Sequence, residues 1–198
     1  MNVGIIASHR GSVLQAVIDA AEGPHPELHP CIVISNNSRS GAASRAVRHG
    51  IPFRHLSGRT HPDPRALDAA IAQALVEAET QLVFLAGYMK KLGPQTLQRF
   101  ENRILNTHPS LLPKFGGQGM YGEHVHRAVL EARESRSGVS VHLVDAGYDT
   151  GPVVARGEVD VLPGDSVATL AERVQARERE LVVNTLSRIA LGQLVLPA

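Results

Sequence analysis

Asn106 and His108 are the residues whose types and spacing best suit chemistry in this sequence. They follow a short apolar run and stand two residues apart, so on an extended segment both side chains point the same way. An amide donor and an imidazole aimed at one ligand atom suit an oxygen that gains negative charge, and imidazole also transfers protons near neutral pH. The alternative interpretation is a polar strand end that runs into a turn at Pro109.

Asp149 is a second candidate, in a loop at residues 145–151 that contains Gly147 and Gly151. A carboxylate there could orient His108 and favour its charged form, and we then expect Asp149 to raise the pKa of His108. The alternative is that Asp149 only caps a turn.

Residues 8–12 form a third candidate, because they open a helix directly after the first apolar run. Free backbone N–H groups and the helix dipole favour an anion at such a position. Gly11 is the single glycine here, and neither a GxGxxG nor a Walker A pattern is present. The alternative is an ordinary turn with Ser12 as the N-cap residue.

A metal site is a further alternative, because the chain has ten histidines. His124 and His126 have a chelate-like spacing, and His108, His142 and Asp149 could add ligands. No HExxH motif is present, however, and His124 and His126 at the start of a helix would face different ways. We therefore predict no metal.

The elements that must position these residues alternate between apolar strand-like runs and amphipathic helical segments up to about residue 105. This alternation predicts an open α/β sheet of parallel strands, in which ligands bind at the carboxyl ends. Those ends are residues 8–12, 87–91 and 106–110, which we expect to converge. Strands are also predicted at 139–144 and 152–161, and a long helix at 166–191. Residues 109–122, rich in Gly and Pro, form a long loop that should carry function or move.

Composition excludes several classes of protein. The chain has 198 residues, a net charge of +1, one cysteine and 43% hydrophobic residues. It therefore lacks the basic surplus of a phosphate-driven nucleic-acid binder, the composition of a disordered chain, and the cysteines for an internal disulfide. No apolar run is long enough to cross a membrane, and no signal peptide is recognisable. We predict one cytoplasmic domain over residues 1–198, with an N-terminal βα half (1–105) and a catalytic half (106–198).

A longer motif carries a resemblance to a known family. Asn106-Thr107-His108-Pro109-Ser110-Leu111-Leu112-Pro113 resembles the N-x-H-x-S-L-L-P signature of folate-dependent formyltransferases. Further matches at 8–15, 86–89, 140–142 and 149–152 extend the resemblance over essentially the whole chain. It implies a mostly parallel seven-stranded sheet with helices on both faces, the Rossmann-like fold of this family.

The resemblance also implies an activity and roles for named residues. The expected reaction transfers a formyl group from 10-formyltetrahydrofolate to the amine of glycinamide ribonucleotide in de novo purine biosynthesis. Small molecules are the only partners implied, and the expected assembly is a monomer or homodimer. The resemblance implies catalysis by Asn106, His108 and Asp149; acceptor binding by Arg10, Gly11, Ser12, Pro109, Gln175 and Glu178; and folate binding by Tyr88, Met89, Lys90, Lys91, Leu92, Asp145 and Asp149.

Two departures from the family pattern leave alternatives open. The phosphate loop of the family usually reads closer to Gly-x-Gly-Ser-Asn, whereas His9, Arg10 and Val13 occur here, and the loop at residues 116–122 is longer than in many members. The alternatives are a formyltransferase for a different small amine, a formyltetrahydrofolate hydrolase, or a non-enzymatic folate or nucleotide binder. The last is favoured only if Asn106, His108 and Asp149 do not converge.

Overall fold

The computed structural model describes residues 1–197, so residue 198 of the predicted domain lies outside the described residues. The described residues form seven strands and six helices, in the order β1 (Asn2–Ala7), α1 (Ser12–Ala21), β2 (His29–Ser35), α2 (Gly41–Arg48), β3 (Phe53–His55), α3 (Pro64–Glu77), β4 (Leu82–Ala86), α4 (Pro94–Arg99), β5 (Ile104–His108), α5 (Glu123–Glu131), β6 (Arg136–Leu143), β7 (Val153–Asp160) and α6 (Val167–Ala190).

The strands form one mixed sheet in the order β3-β2-β1-β4-β5-β6-β7. Strands β1 to β5 pair in parallel, and β6 and β7 then pair antiparallel, with Asn106 opposite His142 in the β5–β6 register. The prediction of a mostly parallel, seven-stranded α/β sheet is confirmed. The antiparallel return at β6 brings the interior of that strand beside the end of β5.

Helices cover both faces of the sheet, because side chains along each strand alternate between the faces. Ile5 of β1 is fully buried in a cluster with residues of α1, α2, α5 and α6. Ile6, the next residue, is fully buried on the other face against α3 and the segment around α4. Both faces of the central strands are therefore apolar, as the continuous aliphatic run of β1 predicts.

Helix α1 begins without a side-chain cap. Its N-cap residue is Gly11, in the left-handed region at φ 72° and ψ 34°. The alternative in which Ser12 caps the helix is therefore wrong, since Ser12 is already the first helical residue. By contrast, the hydroxyl of Ser40 caps α2 by accepting from the amide of Ala43 at 3.1 Å.

The boundaries of the last helix agree with the prediction to one residue at each end. Its first turn carries a capping box, in which the side chains and amides of Ser166 and Thr169 bond reciprocally. Among residues 1–197, no helix combines the length and the apolar character that a membrane span requires.

Candidate active site

A cleft of about 780 Å³ opens at the carboxyl ends of β1, β4 and β5. As expected, residues of the loops after all three strands converge on it, and its size is that of a ligand site. The lining residues with expected roles are Tyr88, Met89, Lys90, Lys91, Leu92, Asn106, His108, Pro109, Asp145, Asp149, Gln175 and Glu178.

A second, more open depression of about 960 Å³ lies between α3 and α4. Its lining is dominated by alanine and glutamine, and Arg99 is its one ionisable side chain among the described residues. It offers no acid–base pair, so the cleft at the sheet edge is the candidate active site.

Strand β5 contributes residues both to the lining of the cleft and to a contact with helix α6. His108 lies in the cleft lining and is 3% exposed, and Asn106 lies two residues before it in the same lining. Thr107, between them, donates its hydroxyl to Oε1 of Glu178 on α6 at 2.6 Å. Burial raises the pKa of Glu178, and the hydrogen bond from Thr107 works against that rise. The strand thereby links the catalytic candidates to the helix that carries Gln175 and Glu178.

Asp149 contacts His108 directly. Its Oδ2 lies 3.2 Å from Nδ1 of His108, and the other imidazole nitrogen, Nε2, lies 2.7 Å from the carbonyl oxygen of Phe115. A carbonyl only accepts, so this contact assigns a hydrogen to Nε2. Asp149 also accepts from the amide of Gly117 at 3.0 Å. The carboxylate of Asp149 and the imidazole of His108 are thus held in direct polar contact.

Burial lowers the pKa of His108, and the charge of Asp149 and the Phe115 carbonyl only partly oppose that effect. The expectation that the pKa of His108 is raised is therefore wrong in its net direction, although the contribution of Asp149 has the expected sign. Burial alone would raise the pKa of Asp149, but contacts with His142, His108 and the Gly117 amide outweigh it and lower that pKa. At neutral pH the site holds a carboxylate beside a largely neutral imidazole.

His142 is a site residue that the sequence indicated only within a family match and as an alternative metal ligand. Its Nδ1 lies 2.8 Å from the carbonyl oxygen of Leu143, and its Nε2 lies 3.1 Å from Nδ2 of Asn106. The carbonyl assigns the hydrogen to Nδ1, so Nε2 accepts from Asn106 and fixes which way the amide of Asn106 points. Oδ1 of Asp149 lies 3.4 Å from the same Nε2. The alternation Ser140-Val141-His142 was the available signal, but its antiparallel register with β5 was not predictable.

The loop at residues 8–12 lies beside the cleft, and only the part of the loop before Arg10 contributes to the cleft lining. His9 lines the cleft, whereas Arg10, Gly11 and Ser12 do not. Ser8 connects the loop to the next wall, because its Oγ accepts from the amide of Met89 at 3.0 Å. The predicted acceptor-binding positions 10–12 therefore lie beyond the rim of the cleft, next to α2.

The two predicted folate-binding segments form facing walls of the cleft. Nζ of Lys91 donates to the carbonyl of Ala146 at 2.9 Å and lies 4.2 Å from the ring centroid of Tyr148. Both contacts join the segment after β4 to the loop at residues 145–149. A single ammonium group therefore holds the walls together at the mouth of the cleft.

The loop at residues 115–122 covers the other side of the cleft. Phe115 supplies the carbonyl that meets His108, and Gly117 supplies the amide that meets Asp149. Gly117, at φ 100°, belongs to a conformational region that favours glycine. Both contacts with the catalytic candidates are made by the backbone of this loop and not by its side chains.

The histidines of α5 do not converge. His126 is 3% exposed and lines the cleft, with a buried Nδ1 that has no partner, whereas His124 is exposed and packs edge-on against Tyr121. Within residues 1–197, no three His, Cys, Asp or Glu side chains are placed to hold a metal ion. The alternative of a metal site therefore has no matching cluster of ligands in this part of the chain.

The family model described as formyl transferase matches residues 1–186 of the chain. The chain belongs to the formyl transferase family. A phosphoribosylglycinamide formyltransferase of Mycobacterium tuberculosis is 40% identical to this formyl transferase over 186 residues, which cover 94% of this chain and 83% of the relative. The predicted membership of the folate-dependent formyltransferases is confirmed.

Solved structures agree with the same family. The glycinamide ribonucleotide transformylase 1 of Symbiobacterium toebii superposes with a TM-score of 0.90 at 37% identity, covering 100% of this chain and 91% of its own. A phosphoribosylglycinamide formyltransferase of Brucella melitensis superposes with a TM-score of 0.88 at 35% identity, covering 99% and 98%. This formyl transferase thus shares the whole fold of enzymes that bear those names.

Proposed function

We propose that this formyl transferase moves a formyl group from 10-formyltetrahydrofolate to the amine of glycinamide ribonucleotide. The observation that carries the proposal is the convergence of Asn106, His108 and Asp149 on one cleft. Relatives of matching length that are named for this reaction support the same substrates. A non-enzymatic binder has no need of a buried imidazole facing a carboxylate.

Asn106 donates a hydrogen bond to the oxygen that gains charge, and His108, once protonated, adds a positive charge beside it. The free amine attacks the formyl carbon, a C–N bond forms, and the carbonyl electron pair moves onto oxygen. One hydrogen of the Asn106 amide is held by His142, which leaves the second for this oxygen. Donors fixed in this way need no reorganisation as charge develops, and loss of one typically costs about 10²–10³-fold in turnover.

The pair of His108 and Asp149 handles the proton that the amine gives up. Nε2 of His108 already carries a hydrogen, so the free position is Nδ1, which faces Asp149. Negative charge on the nearby oxygen raises the pKa of His108 and favours protonation there during the reaction. The pair then returns the proton to the folate nitrogen as its bond to the formyl carbon breaks, so atoms and charge balance over the cycle.

The remaining predicted residues bind the two substrates. Tyr88, Met89, Lys90, Lys91 and Leu92 hold the folate together with the 145–149 loop, including Asp145. Gln175 and Glu178 meet the acceptor ribose, and Pro109 of the same cleft also contacts the acceptor. The Gly11 and Ser12 amides hold the acceptor phosphate, with Arg10 as an added cation, because the uncapped start of α1 suits an anion. We propose that the enzyme works in the cytoplasm as a monomer or homodimer, on small molecules only and without a metal.

The deciding experiment incubates the protein with 10-formyltetrahydrofolate, with and without glycinamide ribonucleotide, and follows the release of tetrahydrofolate. Release that requires the acceptor supports the proposal. Release of tetrahydrofolate without any acceptor identifies a hydrolase. Release with free glycinamide in place of the ribonucleotide identifies a transferase for a different amine. Asn106→Ala is the matched control, since it should reduce turnover by about 10²–10³-fold while folate still binds.

A further inference from the structure

Three successive carbonyl groups at residues 9–11 are held by the helices beside them. The carbonyl of His9 accepts from the amide of Ala42 at 3.1 Å, and that of Gly11 accepts from the amide of Gln15 at 2.9 Å. The carbonyl between them, of Arg10, accepts from Nε of Arg45 at 3.1 Å. Two of the three peptide groups are thus fixed by backbone, and the middle one by a side chain of α2.

These contacts decide where the amides of the loop point. In a trans peptide the C=O of one residue and the N–H of the next point in opposite directions. The N–H groups of Arg10, Gly11 and Ser12 therefore point away from the groups that bond the three carbonyls. Within residues 1–197, none of these three N–H groups donates a hydrogen bond to the protein. Successive free N–H groups around a left-handed residue form a concavity that binds anions.

Arg45 is built to hold the middle peptide firmly. Its side chain is half-buried, and its Nη1 donates to Oε1 of Gln15 at 2.5 Å while Nε bonds the loop. Gln15 is itself held, because its amide nitrogen donates to Asp19 at 2.7 Å. The guanidinium thus bridges the loop and α1 with two donors in a fixed plane, which the single ammonium of a lysine does not reproduce.

We infer that Arg45 is a positioning residue for acceptor binding: by holding the Arg10–Gly11 peptide, it keeps the amides of Gly11 and its neighbours directed at the acceptor phosphate. This inference rests on the proposed function, which places the phosphate of glycinamide ribonucleotide at this loop. Arg45 acts through the backbone of Arg10 and is not itself a phosphate ligand. Without it, no hydrogen bond holds the carbonyl of Arg10, and the N–H of Gly11 can turn out of the concavity.

The test compares Arg45→Met and Arg45→Lys with Arg48→Met, which removes an exposed arginine three positions along the same helix. Arg45→Met should raise the KM for glycinamide ribonucleotide about tenfold, the scale of one lost charge-assisted hydrogen bond. Its kcat and its KM for the formyl-folate should not change. Arg45→Lys should lie between Arg45→Met and the wild type, and Arg48→Met should match the wild type.

Titration with inorganic phosphate provides a readout besides activity. Phosphate should compete with the acceptor, and its binding to the Arg45→Met protein should weaken by the same factor as the KM rises. An unchanged acceptor KM in an otherwise active Arg45→Met enzyme would falsify the inference. Full recovery in Arg45→Lys, or an equal loss for both substrates together with a lower Tm, overturns it as well. If the wild type does not use glycinamide ribonucleotide, the proposed function fails, and phosphate binding still decides the role of Arg45.

Discussion

The imidazole of His108 lies between two acceptors, with Nδ1 3.2 Å from Oδ2 of Asp149 and Nε2 2.7 Å from the carbonyl of Phe115. Since the carbonyl requires a hydrogen on Nε2, the neutral ring directs an unshared electron pair at a carboxylate. The repulsion between this electron pair and the carboxylate disappears when a proton binds between Nδ1 and Oδ2. The pair therefore has room for the proton that an attacking amine releases.

Replacement of Asp149 by asparagine should remove this proton site while keeping the shape. We expect kcat to fall by about 10²-fold or more, the usual contribution of acid–base catalysis, while folate binding survives. A protonated His108 cannot accept the amine's proton, so its pKa contributes to the acid limb of the kcat profile. Because Asp149 raises the pKa of His108 against burial, its loss should lower that pKa further and move this acid limb to lower pH.

The measurement is kcat as a function of pH for wild type, Asp149→Asn and Asp145→Asn. Asp145 belongs to the same loop, where it accepts from the amide of Gly147 and the hydroxyl of Thr150, so its replacement should leave the acid limb in place. Near-normal kcat for Asp149→Asn across the range would mean that Asp149 is only a turn residue.

The two walls joined by Lys91 should enclose the pterin end of the folate. Replacing Lys91 with methionine removes the bond to Ala146 and the contact with the Tyr148 ring. A cation–π contact at an exposed site is worth about 0.5–1 kcal/mol, so we expect a rise of a few-fold in the KM for the formyl-folate and none for the acceptor. Lys114→Met, which removes a surface pair with Glu134, is the control.

Crystals with a bound antifolate test the same wall arrangement directly. The ligand should contact both the segment at residues 88–92 and the loop at residues 145–149. A ligand that touches neither segment rules out this placement of the folate.

Substitution of Gly11 by alanine should damage both stability and acceptor binding. A Cβ at this position would lie 2.9 Å from Cα of Ala42, and the residue has φ 72°. Gly50 has a similar φ of 66° but nothing within 4 Å of its Cβ position, so Gly50→Ala isolates the cost of the left-handed backbone, about 1–2 kcal/mol. Chemical denaturation should show the larger loss for Gly11→Ala.

Steady-state kinetics with the same two alanine variants separate crowding from strain. Only Gly11→Ala should raise the acceptor KM, because only Gly11 touches the start of α2. Equal effects of the two variants on stability and on KM would show that the contact with Ala42 is unimportant.

His126 should make the protein less stable in mild acid. Burial lowers its pKa, with Glu123 opposing and His108 assisting that shift. The unfolded chain therefore binds more protons than the folded one just below the ordinary value of about 6.5, so stability rises with pH through this window and is lost as pH falls. Urea unfolding between pH 7.5 and 5 should show a weaker pH dependence for His126→Gln.

His124→Gln is the matched control for that experiment, because His124 lies on the same helix but is exposed. Its unfolding should follow the wild-type pH dependence. An identical curve for His126→Gln would contradict a role for the buried imidazole. His108, whose pKa burial also lowers, contributes in the same direction and explains why some dependence remains.

Sequence periodicity predicted most of the strands and helices that position this site. The aliphatic runs and the amphipathic segments between them were sufficient to predict the parallel half of the sheet, because each element follows a local pattern. The shared direction of Asn106 and His108 followed from the two-residue period of a strand. The order of motifs then indicated the family, which the comparisons confirm.

Contacts that depend on tertiary packing were not predictable. His142 meets Asn106 only because β6 runs antiparallel to β5 in one particular register. The pKa of His108 was expected to rise because Asp149 was visible in the sequence, whereas the burial that lowers it was not. Arg45 lies 35 positions from Arg10, and nothing in its helical pattern distinguishes it from Arg48.

The hydrogen bond from Thr107 to Glu178 joins residues 71 positions apart and connects strand β5 of the cleft to the last helix, α6. During synthesis, Asn106, His108 and Asp149 all leave the ribosome before α6 does. A nascent chain at that stage contains the proposed proton-handling pair but lacks Gln175 and Glu178, the proposed acceptor-binding residues of the cleft, and has no α6 to pack against α1, β6 and β7. We therefore expect acceptor turnover to begin only when translation has passed α6, and a product terminated before α6 to be inactive although it contains every proposed catalytic residue.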